Sequence, residues 1–302
     1  MSNKLQNNDA LGRLLEQAYL EIMPANGIED RLSVIPPRSY ISITCSPAKG
    51  IGPTLDLMER LAGQGWHLIP HIAARMVRDK GELSEIMSRL DAAGIHSVFV
   101  PGGDAPEPAG EYDCALDLLR DMAEIGHRFE DIGIASHPEG HPLVGDAELL
   151  RLLQEKQKVS TYLVTQMCFD SNTLVNWLSQ IRQAGVSLPA WIGLPGVADR
   201  TKLFKTSIRI GVGRSAKMLM NNKGMLKNML TVKPYRPDDL VTGLAPYLDD
   251  KTLNIEGFHL FSFNDVERTE AWRKELLAQV LSLIHISEPT RLLVQSRIPS
   301  SA

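Results

Sequence analysis

Proton transfer and polar-ligand binding need carboxyls, imidazoles and amides brought to one place, and this sequence spaces such residues in a regular way. Glu21 lies in Tyr19-Leu-Glu-Ile-Met-Pro24, Thr44 and Ser46 end Tyr40-Ile-Ser-Ile-Thr-Cys-Ser46, His71 follows Pro70, and Asp104 ends Pro101-Gly-Gly-Asp104. Further along come His137, Glu139 and His141, then Gln166 and Asp170, then Gly196 and Asp199, and finally Asn264 and Asp265. Each set follows a short apolar or β-branched run. His137 and His141 stand four apart, the interval of a helical zinc pair, but Pro138 and Pro142 make the segment a loop and no third ligand of suitable pattern accompanies it. No metal is therefore expected, and a metal-dependent hydrolase using His71, His137 and His141 is the rival reading. Asp170 and Asp265 suit helix N-caps as well as they suit chemistry. Glu21, Asp104 and Gln166 have no helix starting directly after them, which favours a chemical role. Gly211-Val-Gly213-Arg-Ser has the look of a phosphate loop, but no strand precedes it and it reads as a helix break. The basic cluster from Lys202 to Lys233 fits an anion-attracting surface and a solvated helical face equally well.

Strands and helices must alternate to hold these residues. Strands are expected at Tyr19–Pro24, Tyr40–Ser46, Trp66–Ala73, Ser97–Val100, Ile132–Ser136, Thr161–Phe169, Trp191–Pro195 and Gly257–Phe263. Helical periodicity marks Pro53–Ala62, Leu83–Leu90, Cys114–Ile125, Ala147–Lys158, Thr173–Ala184, Leu240–Leu248 and Glu267–Gln279, with several short helices from Arg200 to about Leu230. Eight strand-then-helix units in one chain predict a single (β/α)8 TIM barrel, a fold of about 250 residues whose chemistry sits at the C-terminal ends of its strands. A doubly wound sheet is the runner-up, and no Gly-x-Gly-x-x-Gly follows the first strand to support it.

Bulk properties narrow the class. The chain has 302 residues and a net charge of −4, from 32 Lys and Arg against 36 Asp and Glu. That balance argues against a nucleic-acid scaffold or a basic membrane-surface protein. No apolar run approaches the roughly 18 residues of a membrane span, and the polar start from Met1 to Ala10 has no signal core. Cys45, Cys114 and Cys168 form neither a disulfide framework nor a Cys-x-x-Cys knuckle. A cytoplasmic enzyme is expected, with both a monomer and a homo-oligomer left open. Leu281 to Arg291 (LSLIHISEPTR) resembles a translated sequencing-library adapter, so the barrel is assigned to residues 1–280 and residues 281–302 to a non-native tail.

The rim residues together give a family likeness. The chain resembles the methylenetetrahydrofolate reductase family, flavin-containing (β/α)8 barrels, over nearly all of residues 19–280. The family's Glu-Phe-Phe-Pro appears as Glu21-Ile-Met-Pro24, its second-strand threonine motif as Ile41-Ser-Ile-Thr44, and its Pro-His pair as Pro70-His71. Its Arg-Gly-Asp turn appears as Gly102-Gly103-Asp104, and its Tyr-Pro-Glu-x-His-Pro loop as His137-Pro-Glu-Gly-His141-Pro142. Thr165-Gln166 with Phe169-Asp170 is the most specific piece, and Pro195-Gly196 and Phe258-His259-Leu-Phe-Ser-Phe-Asn264 complete the set.

The resemblance implies that NAD(P)H reduces FAD and that the reduced flavin passes hydride to 5,10-methylenetetrahydrofolate. It implies Glu21 as the general acid that opens the folate's five-membered ring, Asp104 as a charge near flavin and folate, and Gln166 as the amide that orients the pterin. Thr44, His71, Gly103, His137, His141 and Lys158 are implied as flavin contacts, Lys158 to phosphate, and Phe169 and Gly196 as folate contacts. Departures gather on the flavin side: Gly102 replaces the family's arginine, His137 its tyrosine, and Met167 and Cys168 two phenylalanines. The segment between the first two strands is also short. Three readings stay open: flavin held differently, hydride passed directly from nicotinamide to folate, or the reaction run oxidatively. A non-catalytic folate-binding subunit is a further alternative.

Overall fold

Short strands form where Tyr, Ile, Val and Leu cluster, because these side chains pack well on a pleated surface buried on both faces. The computed structural model describes residues 8–209, 212 and 234–287. Its strands are β1 (Tyr19–Ile22), β2 (Tyr40–Ile43), β3 (His67–Pro70), β4 (Ser97–Val100), β5 (Asp131–Ser136), β6 (Tyr162–Thr165), β7 (Ala190–Pro195) and β8 (Ile255–Phe261). All pair in parallel in the order β3-β2-β1-β8-β7-β6-β5-β4. The two ends of that order meet at a parallel bridge between His71 and Phe99. Ile72 N–H donates to Phe99 O at 2.8 Å and Ala74 N–H to Pro101 O at 3.0 Å, completing the ring. The fold is a single (β/α)8 barrel.

The helices are α1 (Asn8–Glu16), α2 (Ile28–Arg31), α3 (Gly52–Leu61), α4 (Lys80–Ala92), α5 (Ala115–Ile125), α6 (Asp146–Lys156), α7 (Ser171–Gln183), α8 (Arg200–Arg209), α9 (Asp238–Leu244) and α10 (Val266–Ser287). Their apolar faces cover the outside of the barrel, with Leu57, Met58, Leu61, Leu83, Leu90, Leu118, Met122, Leu174, Leu178 and Trp272 buried. Between β1 and β2 there is room only for the single turn of α2 and a 3-10 turn at Leu32–Val34, as the short segment predicts. The α1 helix was not expected. Leu11, Leu14, Leu15 and Ala18 supply an i, i+3, i+4, i+7 stripe, all four buried, and α1 packs on α10 and β8.

Strand ends differ from expectation by a few residues. β6 stops at Thr165, because Met167 and Phe169 turn into an apolar cluster with Ala198, Leu203, Val212 and Tyr235 above the β6–β7 side. α10 runs past the expected Gln279 to Ser287. The Gly211–Ser215 loop, all but Val212, and most of the basic cluster lie outside the described residues. No helix among the described residues is long and apolar enough to cross a membrane.

Inside the barrel, alternate residues fill the lumen. Its lower part is aromatic: Tyr19 stacks on Tyr40 with ring centroids 4.8 Å apart and meets Trp191 at 5.5 Å, while Tyr162 meets Trp191 at 4.9 Å. Gly257 and Gly133 make space for these rings. A Cβ on Gly257 would lie 2.2 Å from the Trp191 indole nitrogen, and one on Gly133 would lie 2.3 Å from Tyr162 Cζ. Above the aromatic layer the lumen turns polar, beneath the C-terminal rim.

Candidate active site

Glu21 occupies the third position of β1, paired with Ser42 on β2 and Phe261 on β8, and its side chain faces the lumen with 18% of its surface exposed. Two histidines face it. His259 Nε2 lies 3.1 Å from Glu21 Oε2, and His71 Nε2 lies 3.8 Å from the same oxygen. Ser42 Oγ and His71 Nε2 share a hydrogen bond of 2.6 Å. The Ser262 hydroxyl donates to the Glu21 carbonyl at 2.5 Å, which fixes the backbone beneath the carboxyl. Burial pushes the His71 imidazole down to about 4, against the opposing pull of the Glu21 carboxylate, and the nearby His259 lowers it further. His71 is therefore neutral at physiological pH.

From this cluster a polar arc runs over the ends of β2, β4 and β5. Half-buried Thr44 is anchored by its N–H to Ile22 O at 2.9 Å. Next to it, burial raises the Cys45 thiol to about 12, with the negative charges of Glu21 and Asp104 adding to the shift, so this cysteine is an inert thiol. Asp104 is exposed, and its charge is felt at both Cys45 and His141. Gly103 before it has φ of +96°, and a Cβ there would lie 3.2 Å from Ala73 Cβ. Only glycine makes this turn without strain. The rings of His137 and His141 meet edge to face at 5.0 Å. Burial lowers both imidazoles, His137 to about 3, with His141 and Lys156 contributing to that shift.

Lys156 is a residue that sequence reasoning passed over. Its Nζ donates to Ala135 O at 3.1 Å, and burial pulls its ammonium down to about 8. Lys158, the expected phosphate contact, lies in the turn Gln157–Val159 that precedes β6, at the opposite end of the barrel from the rim. Its ammonium is exposed and pairs with Glu155 at 2.8 Å. The structure therefore does not bring Lys158 to the site. His71 sits in the lumen beside Glu21 and against Phe99, ring centroids 4.7 Å apart. The second missed residue is His259, whose position two after Gly257 puts it on the lumen face of β8.

On the β6–β7 side, Gln166 Oε1 accepts from Met167 N–H at 2.9 Å and its N–H donates to Ser136 O at 2.7 Å, which leaves the side-chain NH2 to donate to a ligand. Phe169 is buried and meets Tyr235 edge to face at 5.6 Å, forming an apolar wall. Gly196 is buried, and a Cβ there would lie 2.7 Å from Thr269 Oγ1, so close packing on α10 already accounts for the glycine. Asp170 is the N-cap of α7, accepting from Thr173 N–H at 3.0 Å. Asn264, with φ of +62°, clamps β1 by accepting from Met23 N–H and donating to Met23 O, both at 2.8 Å. Beside this clamp a cleft of about 420 Å³ opens between Ala25, Arg31, Phe263 and Arg268. Among the described residues no group of three or more His, Cys, Asp or Glu is arranged to hold a metal.

The polar groups fit a flavin. Thr44, the Gly103 backbone, His137, His141 and the Lys156 amine are polar groups near the ends of β2, β4 and β5, and a Cβ at Gly102 would meet nothing within 4 Å. The architecture defines a (β/α)8 barrel with a carboxyl–imidazole cluster under its C-terminal rim. The family model described as methylenetetrahydrofolate reductase matches residues 30–271, and the chain belongs to that family. Glu21 lies before the matched range.

Methylenetetrahydrofolate reductase (NADH) 1 of Arabidopsis thaliana is 24% identical over 224 residues, covering 68% of this chain and 33% of that protein. Methylenetetrahydrofolate reductase 2 of Saccharomyces cerevisiae is 32% identical over 121 residues, covering 36% of this chain and 20% of that protein. The chain thus spans a third or less of these relatives' length. A protein of solved structure from Clostridium thermocellum, described as binding two copies of 5-methyl-5,6,7,8-tetrahydrofolic acid, shares the fold. It has a TM-score of 0.62 at 14% identity, over 91% of this chain and 99% of that one.

Proposed function

We propose that this barrel interconverts 5,10-methylenetetrahydrofolate and 5-methyltetrahydrofolate with NAD(P)H. The observation that carries the reading is the Glu21 carboxyl, held at the rim by His259 in a chain that belongs to this family. In the reducing direction Glu21 gives a proton to N10 of the folate, the methylene C–N10 bond breaks, and the N5 iminium that forms accepts hydride at its methylene carbon. The Gln166 amide orients the pterin, Phe169 with Tyr235 forms an apolar wall beside it, and the exposed Asp104 carboxylate stabilises the cation as it develops. FAD, when bound along the arc of Thr44, Gly103, His137, His141 and Lys156, supplies storage for two electrons between nicotinamide and folate. Gly102, which stands where the family has an arginine, favours a second reading, direct hydride transfer from nicotinamide to folate.

The test is anaerobic turnover of methylenetetrahydrofolate with NADH and with NADPH. The visible spectrum of the purified protein distinguishes the flavin route from the direct one. Glu21→Gln is expected to lower folate turnover by about a hundredfold or more while leaving reduction of any bound flavin intact. Turnover within a few-fold of the parent would sink the assignment of the acid.

A further inference from the structure

His259 is 2% exposed, and its ring has one hydrogen-bonding contact, to Glu21. Nδ1 is buried with no hydrogen-bond partner among the described residues. A neutral imidazole carries one N–H, and an orphaned buried N–H is rarer and costlier than an under-used acceptor. The proton therefore belongs on Nε2, where it donates to Glu21 Oε2, and Nδ1 keeps its lone pair. His71 completes the enclosure from β3: its Nε2 bonds to Ser42 and stands 3.8 Å from Oε2, beyond hydrogen-bond reach. Oε2 thus faces two buried imidazoles, with the Phe99 and Phe261 rings around His259 at 6.3 and 4.9 Å.

We infer that His259 is the positioning residue for Glu21, holding Oε2 by its Nε2–H so that the exchangeable proton resides on Oε1, toward the open rim. The inference rests on Glu21 as the acid of the proposed reaction. The groups facing the carboxyl are His259 on β8, His71 directly after β3, Ser42 on β2, and, within electrostatic range, Cys45 after β2. Of these only His259 is within hydrogen-bond distance of the carboxyl. An N–H donor favours the ionised carboxyl, so losing it makes Glu21 hold its proton to higher pH.

The test uses the full chain labelled with 13C at glutamate carboxyls, with the Glu21 signal identified by its loss in Glu21→Gln. His259→Gln keeps a donor at the Nε2 position, whereas His259→Asn places its amide near Nδ1, short of Glu21. In His259→Asn the Glu21 titration midpoint is expected to rise by about one pH unit or more, and in His259→Gln to stay near the parent value. Folate kcat is expected to fall about tenfold to a hundredfold in the Asn variant with KM little changed, and to be largely restored in the Gln variant. Equal midpoints in Asn, Gln and parent proteins would overturn the inference, whatever the protein does to folate. A midpoint shift without folate turnover in the parent would instead overturn the proposed reaction and leave the role of His259 standing.

Discussion

At the scale of single residues, the lumen holds a histidine that stays neutral. This is His71, buried beside Glu21 and lowered from 6.5 to about 4. Between those two values the unfolded chain binds a proton that the folded protein refuses, so stability is full above about pH 6.5 and falls as the pH drops toward 4. The shift corresponds to about 3 kcal/mol across that window. His137, lowered to about 3, acts in the same direction and extends the loss to lower pH. Urea unfolding at a series of pH values from 8 to 4 should show the midpoint fall, and His71→Gln should flatten the curve between 6.5 and 4. An unchanged slope in that variant would place the acid sensitivity elsewhere. The same neutrality bears on the proposed reaction, because an uncharged His71 places no competing cation beside the carboxyl assigned there as the acid.

At the scale of elements, small and large residues alternate across the lumen. Gly257 on β8 stands opposite Trp191 on β7, whose indole fills the space a side chain would need. Gly257→Ala should cost about 1–3 kcal/mol by overpacking, while Gly52→Ala in α3, where a Cβ meets nothing within 4 Å, should be close to neutral. Chemical denaturation of the two variants side by side checks this, and equal stabilities would contradict the packing. Strand–helix alternation was legible in the sequence because β-branched runs and helical stripes announce themselves locally. Direction within an element was harder to read. The lumen face of His71 follows from its position two residues after Ile69, and that of His259 from Gly257 and Phe261, but a motif matched by order carries no strand parity. Lys158 was assigned to phosphate through the family resemblance, yet it lies in the turn before β6, at the barrel's N-terminal end. Lys156, on the last turn of α6, reaches upward because helical side chains lean toward the helix N-terminus.

At the scale of the whole molecule, the site depends on a seam that is closed far from the chemistry. α10 begins at Val266, two residues after the Asn264 clamp on Met23 and four after Ser262, which holds the Glu21 backbone. The helix is fixed on the other side by Arg273, whose guanidinium grips Glu270 through two bonds of 2.7 Å and donates to Leu15 O of α1 at 2.8 Å. Both charges are buried, at 9% and 4% side-chain exposure, with Lys274 reaching Glu270 from the surface at 3.4 Å. A buried pair of this kind contributes little net stability as a pair, yet it penalises the loss of one member severely. Arg273→Met should therefore cost about 3–5 kcal/mol, because Glu270 is left without its guanidinium and Leu15 O without its donor. Glu270→Leu combined with Arg273→Met should recover most of that loss, since the buried carboxylate that lost its guanidinium is then gone. Thermal unfolding of both variants measures the difference, and a double variant as unstable as the single one would show that packing between α1 and α10, rather than the stranded charge, sets the cost. Because α10 leads directly from the clamp, the single variant should, under the proposed function, also weaken folate binding more than the double does, which would tie the distant ion pair to the placement of Glu21.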